Sequence, residues 1–328
     1  MSRKVLIMFS QKEFDFQGEG TAYKMLGEHG FEVTQWESEK YTVMPSVETA
    51  HIRAEYDAVI TMGVRLDENF MQRMSPRLKL IIRYGSGFDE IDIKAAGKFG
   101  ISVATTKIPE LSNGVAELAY ALMLSLLYRI PQNYVEYVCR KKWNQQVRSV
   151  QAAGKTIGFF GFGSIAQCFA QKLAGTGMRM LAYDPYPDWE RAEKLGVVMA
   201  SFDELLSKSD IISVHVPGTK ENENLFNKDT FLKMKQGAYF INAARGILVD
   251  EIALYDALAC GKLGGAACDT LWPEPPESDN PLFELENFIA TPHIGGHTVE
   301  GRRKMTALAA QEIIDFFSEK ALCNLVND

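Results

Sequence analysis

Thr156-Ile-Gly-Phe-Phe-Gly-Phe-Gly-Ser-Ile-Ala-Gln-Cys-Phe-Ala170 carries an apolar strand straight into a glycine turn, and the turn opens a helix. Gly161 and Gly163 allow the tight reversal and leave a surface without Cβ atoms, against which a dinucleotide pyrophosphate can lie. The first turn of the helix, at Ser164 and Ile165, offers unpaired N–H groups and the positive end of the helix dipole. Ala166 takes the third small position, next to the underlying strand. Read alone, this segment leaves open a glycine turn with no ligand. Asp184 weighs against that: it lies twenty-one residues beyond Gly163, directly after a second apolar run, Met178-Arg-Met-Leu-Ala-Tyr183. A carboxylate at that spacing can accept both ribose hydroxyls of NAD. It would repel the 2′-phosphate of NADP, and neither Pro185 nor Tyr186 brings a cation to offset that. The expected cofactor is therefore NAD.

On the N-terminal side, strand-like runs at Lys4–Phe9, Phe31–Trp36, Tyr56–Thr61, Leu78–Arg83 and Ile101–Ala104 alternate with helical stretches at Gly20–His29, Asn69–Met74 and Ile91–Ala96. That alternation predicts a small parallel sheet. Asn113–Arg129 is the most apolar helix candidate, ended by Pro131. On the C-terminal side, strands at Asp210–Pro217, Ala238–Asn242, Leu263–Asp269 and Phe288–Thr291 alternate with helices at Ser201–Ser207, Lys228–Met234 and Asp250–Ala259. These build a doubly wound sheet around one cofactor crevice. Val299–Glu319 has a helical apolar face, capped by Thr298, and is assigned back to the N-terminal domain. The expected fold is α/β, with two domains built on parallel sheets: a Rossmann cofactor domain, 105–295, inserted in a flavodoxin-like substrate domain, 1–104 and 296–328.

Chain length suits two domains of ordinary size, because 328 residues can supply two cores. Apolar residues at 46% and charged residues at 23% are those of a compact water-soluble protein. The net charge of -7 argues against a nucleic-acid partner or an anionic membrane surface. The run Val5–Phe9 is too short for a secretory signal, and the uncharged run Leu118–Tyr128 too short to span a bilayer. Five scattered cysteines form neither a disulfide framework nor a CxxC pair. A cytoplasmic location, no membrane and no metal are expected.

Three fragments fall at strand ends, where an open α/β sheet meets its ligand: Asn242-Ala-Ala-Arg-Gly246, Asp269-Thr-Leu-Trp-Pro-Glu-Pro275 and Thr291-Pro-His-Ile-Gly-Gly-His-Thr298. Arg245 supplies a permanent charge and a planar donor fork, suited to a carboxylate or carbonyl oxygen. His293 can give and take one proton near neutrality, and Glu274 can orient its ring. With NAD as hydride acceptor these three form a minimal alcohol-to-ketone catalyst. The alternatives stand beside it: Arg245 in a surface ion pair, Glu274 in a solvated proline-rich loop, His293 capping a backbone carbonyl. In Arg83-Tyr-Gly-Ser-Gly-Phe-Asp-Glu-Ile-Asp92, the N–H groups of Ser86 and Gly87 can converge on an anion. A plain turn before a helix capped by Asp89 is the competing reading.

Taken together, Gly85-Ser-Gly-Phe-Asp-Glu-Ile-Asp92, Val115-Ala-Glu117, Gly161-Phe-Gly-Ser-Ile-Ala166, His215-Val-Pro217, Ile241-Asn-Ala-Ala-Arg-Gly246, Asp269 with Glu274-Pro275, and Pro292-His-Ile-Gly-Gly296 occur in one order. From about Tyr56 to Phe317 the chain resembles the D-2-hydroxyacid dehydrogenase family. The resemblance implies interconversion of a small 2-oxoacid and its D-2-hydroxyacid, with Arg245 polarising the substrate, His293 as acid/base and Glu274 as its paired carboxylate. It implies a substrate-carboxylate clamp at Ser86 and Gly87. For the cofactor it implies Gly161, Gly163, Ser164, Ile165, Asp184, His215, Pro217, Asn222, Ala243, Arg245, Asp269 and His293, with Asp269 near the nicotinamide amide. It also implies a homodimer joined through the cofactor domain, a role that Gln132–Val150 would suit.

Several positions depart from the family pattern. Ala166 replaces a glycine, Ser164 a frequent arginine, Asn222 a threonine and Thr270 a valine; none is a reacting group. Met62 stands where phosphate-binding members carry an arginine, which disfavours D-3-phosphoglycerate, although Arg65 is near in sequence. An NAD-responsive interaction or corepressor module is the non-enzymatic alternative, and formate oxidation a weaker one.

Overall fold

The computed structural model describes residues 2–15, 19–36, 46–146 and 148–327. They divide into two compact units, Met1–Leu111 with Gly296–Asp328, and Ser112–Gly295.

In the first unit β1 (Arg3–Ile7), β2 (Phe31–Gln35), β3 (Ala58–Thr61), β4 (Leu80–Arg83) and β5 (Ser102–Thr105) form one parallel sheet in the order β2-β1-β3-β4-β5. That is the flavodoxin-like order. Alternate residues of these strands feed two cores. Val5, Ile7, Ala58, Ile60, Leu80 and Ile82 pack with Met305, Ala309 and Ile313 of the helix Val299–Phe317. Leu6, Val59, Ile81 and Val103 pack with Phe70, Met71 and Met74. Both faces are covered, as a parallel sheet requires.

The second unit contains β6 (Thr156–Phe160), β7 (Arg179–Tyr183), β8 (Val197–Met199), β9 (Ile211–Val214), β10 (Ala238–Asn242), β11 (Leu263–Cys268) and β12 (Phe288–Ala290). They form a parallel sheet ordered β12-β11-β10-β9-β6-β7-β8. The order reverses between β6 and β9, which is the Rossmann switch point where ligands bind beyond the strand ends.

Three expectations need correction. The first unit extends to Leu111 rather than 104, because Thr106 N–H donates to the carbonyls of Arg83 and Gly85 and Leu111 is buried in that unit's core. The long helix is Pro109–Tyr128, stopped by Arg129 in the left-handed conformation (φ 51), while Pro131 occupies the first turn of the next helix, Ile130–Tyr134. Proline there lacks only an N–H that would have no intrahelical partner. That 20-residue helix is also long and apolar enough by composition to cross a membrane, so length does not exclude a span. The structure uses its apolar face differently: Ala116, Ala119, Met123, Leu126 and Leu127 pack with Ile157, Phe159 and Ile241.

Candidate active site

At the β6 exit the chain turns at Gly161, with φ +88. A Cβ there would sit 2.7 Å from Val216 Cγ1 and 2.9 Å from the His215 carbonyl oxygen, so only glycine lets the β6 and β9 exits pass this closely. Gly163 is extended and forms the N-cap of the helix Ser164–Lys172 with no side-chain cap. A Cβ at Gly163 would meet nothing within 4 Å, and the N–H groups of the first turn are left without a capping side chain. Ser164 Oγ lies 3.1 Å from Ser112 Oγ, and Ala166 is fully buried against the strand. Asp184, after β7, accepts Phe162 N–H at 2.8 Å on one oxygen and Tyr186 N–H at 2.9 Å on the other. Each carboxylate oxygen keeps acceptor capacity for a hydroxyl. Glycine turn, uncapped helix end and carboxylate thus fit a dinucleotide.

The β9 exit carries His215 and Pro217. The His215 ring packs near Phe159 and Phe169, with centroids 5.9 and 6.3 Å away, and Nε2 lies 2.8 Å from Ser213 Oγ. Burial pushes its pKa down to about 3, so near neutral pH the ring is uncharged. Its buried Nδ1 has no hydrogen-bond partner among the described residues, a deficit that a ligand group can make good. Asn222 Nδ2 donates to the Pro217 carbonyl at 3.0 Å, bracing this loop.

The next three strand exits carry Arg245, Glu274 and His293. After β10, Asn242 Nδ2 donates to the Arg245 carbonyl at 2.8 Å and Arg245 Nη1 to the Ala244 carbonyl at 2.8 Å, while Ala243 is buried. After β11 comes Glu274, and after β12 comes His293 in the left-handed conformation, φ 53. Its own N–H donates to the Asp269 and Thr291 carbonyls at 2.8 and 3.0 Å. His293 Nδ1 meets Glu274 Oε1 at 2.6 Å, with the two side chains 42% and 35% exposed. A carboxylate on Nδ1 selects the tautomer with its proton there and leaves Nε2 free to take up or release a proton. Being buried, His215 cannot share that work; His293 reaches solvent.

Residues 120–295 match the family described as D-isomer specific 2-hydroxyacid dehydrogenase, NAD binding domain. The chain belongs to this family. It is 40% identical over 275 residues to the D-3-phosphoglycerate dehydrogenase of Archaeoglobus fulgidus, an alignment covering 83% of this chain and 52% of that protein. The chain thus spans about half the length of the curated relatives it matches. The crystal structure of the TT0316 protein of Thermus thermophilus superposes with a TM-score of 0.88 at 31% identity, covering 98% of this chain and 99% of that one. The D-lactate dehydrogenase of Aquifex aeolicus, solved with NAD and lactic acid, superposes at 0.84 with 28% identity, covering 99% of each chain.

In this family member Asp269 has a role that its sequence position did not reveal. The side chain is 2% exposed. It accepts Thr291 Oγ1–H at 2.6 Å and the N–H groups of Ile294 and Gly295 at 2.9 Å each. The loop bearing His293 is therefore wrapped around one carboxylate. Two glycines have a packing role that their sequence position did not reveal: a Cβ on Gly246 would lie 2.2 Å from the Leu271 carbonyl carbon, and one on Gly218 2.7 Å from Arg245 Cγ. Both permit close approach of strand-exit loops around Arg245. Their signal in the sequence was only a glycine inside a loop.

In the first unit Gly85 N–H donates to Thr106 Oγ1 at 2.7 Å. Among the described residues, no hydrogen bond within the protein uses the N–H of Ser86 or Gly87. The helix that follows is capped by Asp92, which accepts Ala95 N–H at 2.9 Å, and not by Asp89. Met62 packs partly into the first core and Arg65 is exposed.

Proposed function

We propose that the protein is an NAD-dependent oxidoreductase interconverting a small 2-oxoacid and its D-2-hydroxyacid. The observation that carries this reading is the 2.6 Å Glu274–His293 pair on the loops next to the one that bears Arg245. In the reduction, bound NADH would supply the hydride. Arg245 stabilises the negative charge growing on the substrate carbonyl oxygen, because its charge and geometry are in place beforehand. Protonated His293 delivers the proton from Nε2, and Glu274, accepting the Nδ1–H, keeps the ring oriented so that Nε2 faces the substrate oxygen and can take the proton back in the reverse direction. The N–H groups of Ser86 and Gly87 receive the substrate carboxylate. Asp184 favours NAD over NADP by accepting ribose hydroxyls and repelling a phosphate.

Mixing the protein with glyoxylate, hydroxypyruvate, pyruvate, phenylpyruvate or phosphohydroxypyruvate should consume NADH, followed by its absorbance, with NADPH at least about tenfold slower (an energy difference of about 1.4 kcal/mol). Tight NADH binding with no turnover of any acid would replace this reading by the corepressor-like one. The 40% identity to a D-3-phosphoglycerate dehydrogenase favours a second reading, in which phosphohydroxypyruvate is the best of the panel. Met62 argues for an unphosphorylated acid.

We also propose a homodimer through the second unit. Tyr134, Tyr137 and Trp143 are 58%, 54% and 71% exposed. They line a groove of about 590 Å³ with Ile130 and Val138. Tyr137 and Trp143 meet edge to face at 5.2 Å. Aromatic patches of this kind are characteristic of interfaces. Sedimentation of the native protein should give twice the chain mass, and Tyr137→Glu with Trp143→Glu should give the single-chain mass; a native monomer would refute the dimer.

A further inference from the structure

β4 ends on a charged residue, and its charge is turned beneath the loop that follows. Arg83 Nε donates to Glu90 Oε1 at 2.8 Å, and Nη1 donates to the Tyr84 carbonyl at 2.7 Å. The two charged side chains are only 15% and 11% exposed. Glu90 thus takes the Nε–H group while the loop takes Nη1. Gly85 has φ +127, and a Cβ built on it would lie 2.0 Å from Nη1. The cation thus rests against the Gly85 Cα itself, one residue before the Ser86 and Gly87 N–H groups.

Glu90 does more than balance the charge. Its Oε1 also accepts Gly63 N–H at 3.3 Å, and its carbonyl accepts Leu66 N–H at 2.9 Å. It therefore joins the β3 exit to the β4 exit. From the other side Thr106 accepts Gly85 N–H through Oγ1 and donates its own N–H to the Gly85 carbonyl at 3.0 Å.

An ion pair this far from solvent is a poor source of stability, because desolvation consumes most of the attraction. Its position at the ligand-facing edge of a parallel sheet gives it another use. A charge in low dielectric acts strongly on an anion a few ångströms away. We infer that Arg83, oriented by Glu90, is a positioning residue for the substrate carboxylate: it holds Gly85 to Gly87 from below and adds positive potential to the Ser86 and Gly87 N–H groups. The inference rests on the functional reading above and deepens it, by requiring an anionic substrate at this loop.

The test compares each acid among glyoxylate, hydroxypyruvate and pyruvate that the native protein reduces with its uncharged methyl ester. Arg83→Gln should raise KM for the acid about tenfold, with KM for the ester within about twofold and kcat little changed. Glu90→Gln leaves the cation uncompensated and should lower KM for the acid, the opposite sign. The double variant Arg83→Gln/Glu90→Gln removes both charges and should weaken the acid relative to the ester as the first variant does, which guards against misfolding of either single variant. Equal effects on acid and ester, or variants altered in melting temperature alone, would make the pair a purely structural brace and overturn the inference. A native protein that reduces none of the five acids named under the proposed function would instead refute the functional reading, and this inference with it.

Discussion

His293→Asn should lower kcat for 2-oxoacid reduction by about 10²- to 10⁴-fold, the range for loss of a general acid, with NADH affinity and melting temperature close to native. Asparagine is the informative replacement because His293 has φ 53, a conformation that asparagine tolerates better than other side chains. Alanine would add backbone strain to the loss of the proton donor and confuse the two effects. The hydrogen bonds that shape this loop are made by the His293 N–H and by the Asp269 carboxylate with Thr291, Ile294 and Gly295. None of them uses the imidazole, so the loop should survive the change. Steady-state kinetics with a parallel NADH titration gives the answer. A variant that kept the native kcat would remove His293 from the mechanism.

Arg245→Met should cost about 10² to 10³ in kcat/KM, the loss typical of one preorganised group that stabilises developing negative charge. Methionine keeps an unbranched stem in the space that Gly218 leaves for Arg245 Cγ, and the bond from Asn242 Nδ2 goes to the Arg245 backbone, so packing should persist. Arg245→Lys should restore only part of the loss, because an ammonium lacks the planar fork. If the defect were confined to KM for NADH, Arg245 would be a cofactor contact without a part in the chemistry. Turnover at the native rate in Arg245→Met would refute its role altogether.

Both substitutions concern residues that could be named without coordinates. Arg245 and His293 stand in short strand-exit segments with Asn242 and the Gly295-Gly296 pair nearby, and the parallel βα alternation placed those exits on one edge. Asp269 shows the limit. A carboxylate after an apolar strand is visible in the chain, but its three hydrogen bonds come from residues twenty-two or more positions later, which no local pattern encodes. The helix cap at Asp92 in place of Asp89 was lost for a smaller reason: two acidic residues three apart compete for one cap, and only the path of the turn chooses between them.

Strand β8 and the C-terminal tail illustrate the same division. Val197–Met199 is three residues long, too short for alternation to be read. The tail joins the edge of β5 through Thr105 N–H to the Asn324 carbonyl and Val326 N–H to the Val103 carbonyl. That pairing spans more than two hundred residues, and nothing in Leu322 to Asn327 announces it.

By itself the amino-acid order determined what depends on neighbours along the chain: the glycine turn into a helix, the acidic residue one strand later, the two parallel α/β units, and the arginine, glutamate and histidine at successive strand ends. Only tertiary structure decided which partners those groups take: the Glu274 carboxylate on His293, the Asp269 carboxylate inside the His293 loop, Glu90 on Arg83 beneath Gly85. Backbone sterics and apolar periodicity act over a few residues and leave a local signature. A hydrogen bond or ion pair between distant segments depends on where the packed core holds each of them, and so exists only in the folded chain.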